Sequence, residues 1–248
     1  MSPTLQNGTV VLVHGAWADG SCWSNVILPL QREGLMVTAA PIPLTSLTDD
    51  ITALHRVLER TSGPVTLVAH AYGGAVIAAA HDDRVTSLVY IAALAPDENE
   101  TVADVFYRAD PHPAAPHLAP DAHGFIWMPE EGFGHAVAHH ASPEQIAVTA
   151  AVQRPIAVKC IQEKAPKPAW REKPAWFLVA EQDRMISPET QRFMADRMRA
   201  TVRSYEVDHS PMFTEPGLVI DVVLEAVLET VPATTDSAVH LGSQGASR

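Results

Sequence analysis

The sequence predicts an α/β fold: a mostly parallel sheet flanked by helices, with a helical cap inserted between two of its strands. Three observations predict it. Short apolar runs alternate with helix-length segments over the first 95 residues, and the alternation resumes near residue 174. The run Val85 to Ala93 is apolar almost throughout, as strands covered on both faces are. The stretch from Pro64 to Ile77 reads as a β-branched strand stopping at His70, a tight turn, and a small-residue helix opening after Gly73-Gly74.

The elements follow in order. Thr9 to Val13 is a first strand, His14 to Gly20 a loop, and Ser21 caps a helix that ends near Gly34. Met36 to Ala40 is a second strand, closed by Pro41 and Pro43. Thr48 is expected to cap a helix whose acidic first turn, Asp49-Asp50, suits the helix dipole, with Ile51, Leu54 and Leu58 on one face. Pro64 to Ala69 and Val85 to Ala93 are the third and fourth strands. From Pro96 to about Lys173 the residues are rich in Pro and His, with scattered aromatics and no strand signal. Ser142-Pro143-Glu144 opens a helix there through Gln153. This is read as a mostly helical cap over residues 96–173, with a core made of residues 1–95 and 174–231. Ala175 to Ala180 is a strand, Ser187-Pro188-Glu189 opens a helix to about Arg199, Thr201 to Val207 is the last strand, and Gly217 to Val231 the last helix. Residues 232–248, rich in Ser, Thr, Gly and Ala, are expected to be disordered.

Composition narrows the function. The 248 residues suit one domain with an insertion, and a 47% hydrophobic content is ample for its core. A net charge of −12 argues against nucleic acid or an anionic membrane surface as partner. No apolar run approaches a membrane span, and the first eight residues lack the basic and apolar regions of a secretion signal. Cys22 and Cys160 are the two cysteines, without metal-type spacing, which suits reduced thiols in a cytoplasm.

The turn after the third strand has the shape of a nucleophile elbow, which forces its central residue into a strained conformation and requires small neighbours. Ala69, Gly73 and Gly74 meet that requirement, and Ala71 stands at the centre, where such turns carry Ser. Sites of parallel sheets lie at the carboxyl ends of strands. Asp183 follows one apolar strand and His209 follows the last, so nucleophile position, acid and base occur in the chain order of a triad. Asp97, after the fourth strand, is the alternative acid; its plainer reading is a solvated loop charge beside Glu98 and Glu100. The loop His14-Gly15-Ala16 after the first strand lies where an oxyanion hole is built. Tyr72, after the elbow's centre, supplies one N–H, and Ala16, or in second place Trp17, supplies the other. No Gly-x-Gly-x-x-Gly occurs there, so a dinucleotide is not expected. The cap holds Phe106, Tyr107, Phe125, Trp127, Met128 and Phe133; about half are read as cap packing and the rest as an apolar substrate wall, with Trp17, Phe125, Trp127 and Met128 as the substrate-binding set. His135, His139 and His140 have no Cys or carboxylate to complete a metal set and are read as solvated.

The run Val11 to Trp17 together with His70-Ala71-Tyr72-Gly73-Gly74 resembles the α/β-hydrolase superfamily, in particular its small esterase and hydroxynitrile-lyase branch, over about residues 9 to 231. The resemblance implies an esterase acting on a small apolar ester, without metal or cofactor. Ala71 departs from the family's Ser. It fits a working esterase whose Ser has been replaced by design, a lyase or cofactor-free oxygenase using the His209–Asp183 dyad alone, or a ligand-binding protein on the same frame.

Overall fold

The computed structural model describes residues 8–231; the expected disorder of 232–248 lies outside them. Six parallel strands form the sheet: β1 (Thr9–Val13), β2 (Met36–Ala40), β3 (Val65–His70), β4 (Val85–Ile91), β7 (Ala175–Ala180) and β8 (Thr201–Tyr205), in the order β2-β1-β3-β4-β7-β8. The chain runs outward from β1 to β2, then returns to β3 and proceeds to the other edge. The order therefore reverses between β1 and β3, which is where open parallel sheets leave a crevice for ligands.

Alternation along the strands builds two cores. Val11, Val13, Leu67, Ala69, Leu88, Tyr90, Phe177 and Val179 are buried on one face. Val10, Leu12, Val68, Val89, Ile91, Trp176, Leu178 and Ala180 are buried on the other. The helices Leu47–Leu58, Gly73–Ala78 and Pro188–Met198 contribute to the first core, and Ser24–Arg32 and Pro216–Thr230 to the second. Each fully buried Val, Leu or Ile contributes about 2 kcal/mol, so a largely apolar strand such as β4 specifies a central position.

Helix starts follow local hydrogen bonding and correct two expectations. Asp19, not Ser21, caps the first helical turn, a 3-10 segment Gly20–Trp23 leading into Ser24–Arg32. Ser46, not Thr48, accepts from Asp49 N and caps Leu47–Leu58. At Ser142 the cap is as expected, with Gln145 reaching back to the Ser142 N–H, though that helix ends at Ala151. Residues 96–173 are not free of strand: β5 (Phe125–Ile126) pairs antiparallel with β6 (Ile156–Ala157). Two residues per strand are too few for an alternation signal to register.

The turn after β3 is fixed by close approach. A Cβ on Gly74 would lie 2.3 Å from the Leu94 carbonyl oxygen, and one on Gly73 2.7 Å from that of His14. Both contacts are with backbone, which cannot swing aside. Gly74→Ala is expected to destabilise the fold by about 3 kcal/mol, read as a lowered urea midpoint; an unchanged midpoint would mean that the helix can move off the loop after β4.

Among the described residues no helix is long and apolar enough to cross a membrane.

Candidate active site

The residues after β1, β3, β7 and β8 meet at the carboxyl edge of the sheet. Ala71, directly after β3, has φ +48°, a region that costs a side-chain-bearing residue about 1–2 kcal/mol. Its surroundings hold it there: its carbonyl accepts from Leu94 N (2.9 Å) and Gly74 N (3.1 Å), while its N–H reaches the Ile91 carbonyl (3.4 Å). Gly15 passes so close that a Cβ on it would come within 2.9 Å of the Ala71 Cβ. The loop after β1 and the turn after β3 are thereby pressed together at the crevice.

His209 and Asp183 are both buried, and His209 Nδ1 lies 2.8 Å from Asp183 Oδ2. With the carboxylate oxygen as acceptor, Nδ1 carries the proton and Nε2 presents a lone pair. Asp183 is held from every side. Its Oδ1 accepts from Met185 N (2.7 Å) and Ile186 N (2.9 Å), and its Oδ2 also accepts from Gln191 Nε2 (2.7 Å). Asp97 is not the acid of this pair: it binds Arg171 at 2.7 Å, alongside the Arg171–Glu98 pair, and is held at the protein surface.

Two neighbours escaped the sequence reading. Gln191, on the helix Pro188–Met198, is fully buried; besides Asp183 it donates to the Ile186 carbonyl (2.8 Å) and accepts from Ala180 N (3.0 Å). A glutamine one turn into a capped helix carries no signal until its burial is known. His70 faces His209: its Nε2 donates to the His209 carbonyl (2.7 Å), and the two rings are 4.6 Å apart. Burial pushes the His70 imidazole well below its usual range, so it stays neutral. His14, also fully buried, donates from Nδ1 to the Gly15 carbonyl (2.9 Å) and is lowered by burial in the same way.

Ala16, Trp17, Ala71, Tyr72 and His209 line one cavity, closed on the cap side by Phe106, Tyr107 and Ile126. Trp17 has φ +57° and donates from Nε1 to the Ile126 carbonyl (2.9 Å), which ties the loop after β1 to β5. Phe125, Trp127 and Met128 do not line that cavity. Side chains alternate along β5, so Ile126 faces inward, and Trp127 is 51% exposed with its indole on Asp121 (3.2 Å). Met128 is buried beneath Gly132. The wall on the cap side is instead Phe106, Tyr107, Leu118, Ile126 and Ile156, while Phe133 lines a second cavity. The His139 and His140 rings meet edge to face, 4.3 Å apart, and among the described residues no group of His, Cys, Asp or Glu is arranged to hold a metal.

The side chain of Tyr72 leaves the cavity and donates to the buried Asp50 Oδ2 (2.6 Å), which also receives the Cys160 thiol (3.6 Å); Leu44 N donates to Oδ1 (2.7 Å). Burial pushes the Asp50 carboxyl up to about 6, against the donors that favour its ionised form. The folded chain then binds a proton more tightly than the unfolded chain, so this group's contribution falls as pH rises through the interval from about 4 to about 6. Relative to Asp50→Asn, the native chain is expected to lose about 2 kcal/mol of unfolding free energy between pH 4 and pH 7. Parallel urea curves for the two proteins across that range would contradict it.

The sequence pattern of the alpha/beta hydrolase family matches residues 10–222, and the chain belongs to that family. Within it the chain is similar to plant esterases. Methylesterase 2 of Arabidopsis thaliana is 27% identical, over 90% of this chain and 97% of the relative. Methylesterase 8 of the same plant is 26% identical, over 86% and 87%. Solved structures share the fold: a pyrethroid hydrolase from Sphingobium faniae JZ-2 at TM-score 0.77 (20% identity, 89% of this chain and 97% of that one), and tomato methylketone synthase I with bound beta-ketoheptanoate at 0.78 (17%, 90% and 98%). The family and the methylesterase relatives support a function of hydrolase or esterase type.

Proposed function

We propose that this chain is the frame of a carboxylic-ester hydrolase in which Ala71 occupies the nucleophile's place. His209 is the general base, Asp183 its orienting carboxylate, and the N–H groups of Tyr72 and Ala16 the oxyanion-binding pair, with residues 96–173 as the cap. The observation that carries this reading is the φ of +48° at Ala71. An alanine gains nothing from that conformation, and a serine there would share a cavity with His209. In the serine form, His209 Nε2 takes the hydroxyl proton as Oγ attacks the ester carbonyl. It then returns the proton to the departing alkoxide, and water repeats the cycle on the acyl-enzyme. The apolar walls favour a small apolar ester. With Ala71 the chain lacks the attacking hydroxyl and does not turn esters over.

A second reading rests on the dyad, in which Asp183 binds His209 and Gln191 without any serine. The tomato methylketone synthase structure holds a β-keto acid on the same fold. Such an acid breaks its C–C bond to CO2 without a nucleophile, given a donor for the developing enolate, and the dyad would then belong to a lyase.

The test assays the unaltered chain and Ala71→Ser against short esters and β-keto acids. Ester hydrolysis that appears only in Ala71→Ser supports the esterase reading. CO2 release by the unaltered chain, abolished by His209→Ala, supports the lyase. Silence in both assays removes both.

A further inference from the structure

We propose that Asp50 is a positioning residue: it holds Tyr72, whose N–H is one of the oxyanion-binding pair, and joins that hold to the cap, an inference that rests on the esterase reading. From Ala71 to Ala75 the turn after β3 carries one side chain longer than a methyl, that of Tyr72. Tyr72 is also the residue on which the helix Gly73–Ala78 begins. Its phenol leaves the cavity and donates to Asp50 Oδ2 at 2.6 Å, the length of a charge-assisted O–H···O⁻ bond. Asp50, Tyr72 and Cys160 are all buried. Packing sets where the ring lies, and this bond at its far end fixes its orientation.

Asp50 reaches the cap through both oxygens. Oδ2 also takes the Cys160 thiol (3.6 Å), from the cap helix Val158–Gln162. Oδ1 accepts from Leu44 N (2.7 Å); Leu44 has φ +60°, and its carbonyl accepts from Ala157 N (2.9 Å) on β6. Ile156, the other residue of β6, walls the cavity. The helix Leu47–Leu58, the loop after β2, the turn after β3 and the cap therefore meet on one carboxylate. Stability alone does not call for it, because well-packed apolar residues of similar volume often serve as well as a buried charged group or better. What the carboxylate adds is direction: three donors converging on it fix one arrangement of the segments that carry them.

The test measures kcat and KM for short esters in the Ala71→Ser background at pH 8, above the Asp50 titration. Deleting an oxyanion donor costs about 10²–10³ in kcat, and misplacing one costs part of that. Asp50→Asn keeps the residue's shape but turns an amide NH2 toward the phenol. It is expected to lower kcat by about tenfold or more and to leave KM within about twofold, because the oxyanion forms only in the transition state. Tyr72→Phe deletes the same bond from the other side and keeps the backbone N–H. It is expected to match that loss, and the double variant to lose no more than either. Unchanged kcat per folded molecule, a loss confined to KM, or losses that multiply overturn the inference. Backbone amide exchange in the chain as it stands gives an answer without turnover. Gly74 N and Ala75 N donate to the Ala71 and Tyr72 carbonyls, and Ala92 N donates to the Leu178 carbonyl. In Tyr72→Phe the first two are expected to exchange about tenfold faster relative to the third. Faster exchange there, without ester hydrolysis by Ala71→Ser, would sink the esterase reading and leave the hold on Tyr72 standing; equal exchange overturns that hold.

Discussion

Replacing Ala71 with Ser is expected to raise ester turnover by about 10⁶, because removing the nucleophile from a complete triad costs on that order. The frame needs no rebuilding for the new hydroxyl. The backbone at residue 71 already has φ +48°, and its carbonyl and N–H are already engaged with Leu94, Gly74 and Ile91. The only added atom is the oxygen, and the cavity that receives it is shared with His209. A hydroxyl without its base is a weak nucleophile, so adding His209→Ala should return the rate to that of the unaltered chain. The measurement is release of chromophore from short esters by the three proteins. A gain that survives His209→Ala would assign the base elsewhere; His70, whose Nε2 donates to the His209 carbonyl, leaves its Nδ1 without a partner among the described residues.

The sheet was legible in the sequence because its inner strands are buried on both faces: β1, β3, β4 and β7 read as largely apolar runs, and their alternation with helices pointed to a parallel sheet. The pairing of His209 with Asp183 was expected from chain order, and the structure brings the two together; their catalytic roles remain part of the proposal. The cap was the least legible part. Its ribbon of two-residue strands is set by tertiary contacts such as Ala157 N to the Leu44 carbonyl (2.9 Å), for which no local pattern exists. Aromatic content was a poor guide to the cavity, because alternation turned Trp127 outward and left the smaller Ile126 facing in. Gln191 and His70 act through buried hydrogen bonds between segments far apart in the chain, and single residues of those types give no periodic signal.

In the Ala71→Ser background, Asp183→Asn is expected to lower kcat by about 10⁴ while leaving the fold intact. Oδ1 of Asp183 receives two backbone N–H groups, from Met185 and Ile186, so the amide oxygen of an asparagine must take that place. The amide nitrogen then falls where Oδ2 now accepts from both His209 Nδ1 and Gln191 Nε2. Two N–H groups cannot face an NH2. The imidazole relieves its share of the conflict by moving its proton to Nε2 and accepting at Nδ1, and Gln191 keeps its bonds to Ile186 and Ala180. Shape and packing therefore survive, but the nitrogen facing residue 71 becomes a donor and cannot remove the Ser proton. A structural role alone would predict lost stability with little loss of kcat per folded molecule. The urea midpoint and kcat of Asp183→Asn, measured together, separate the two: a near-native midpoint with turnover reduced by about 10⁴ assigns Asp183 to holding the tautomer of His209, and unchanged turnover would remove it from the site.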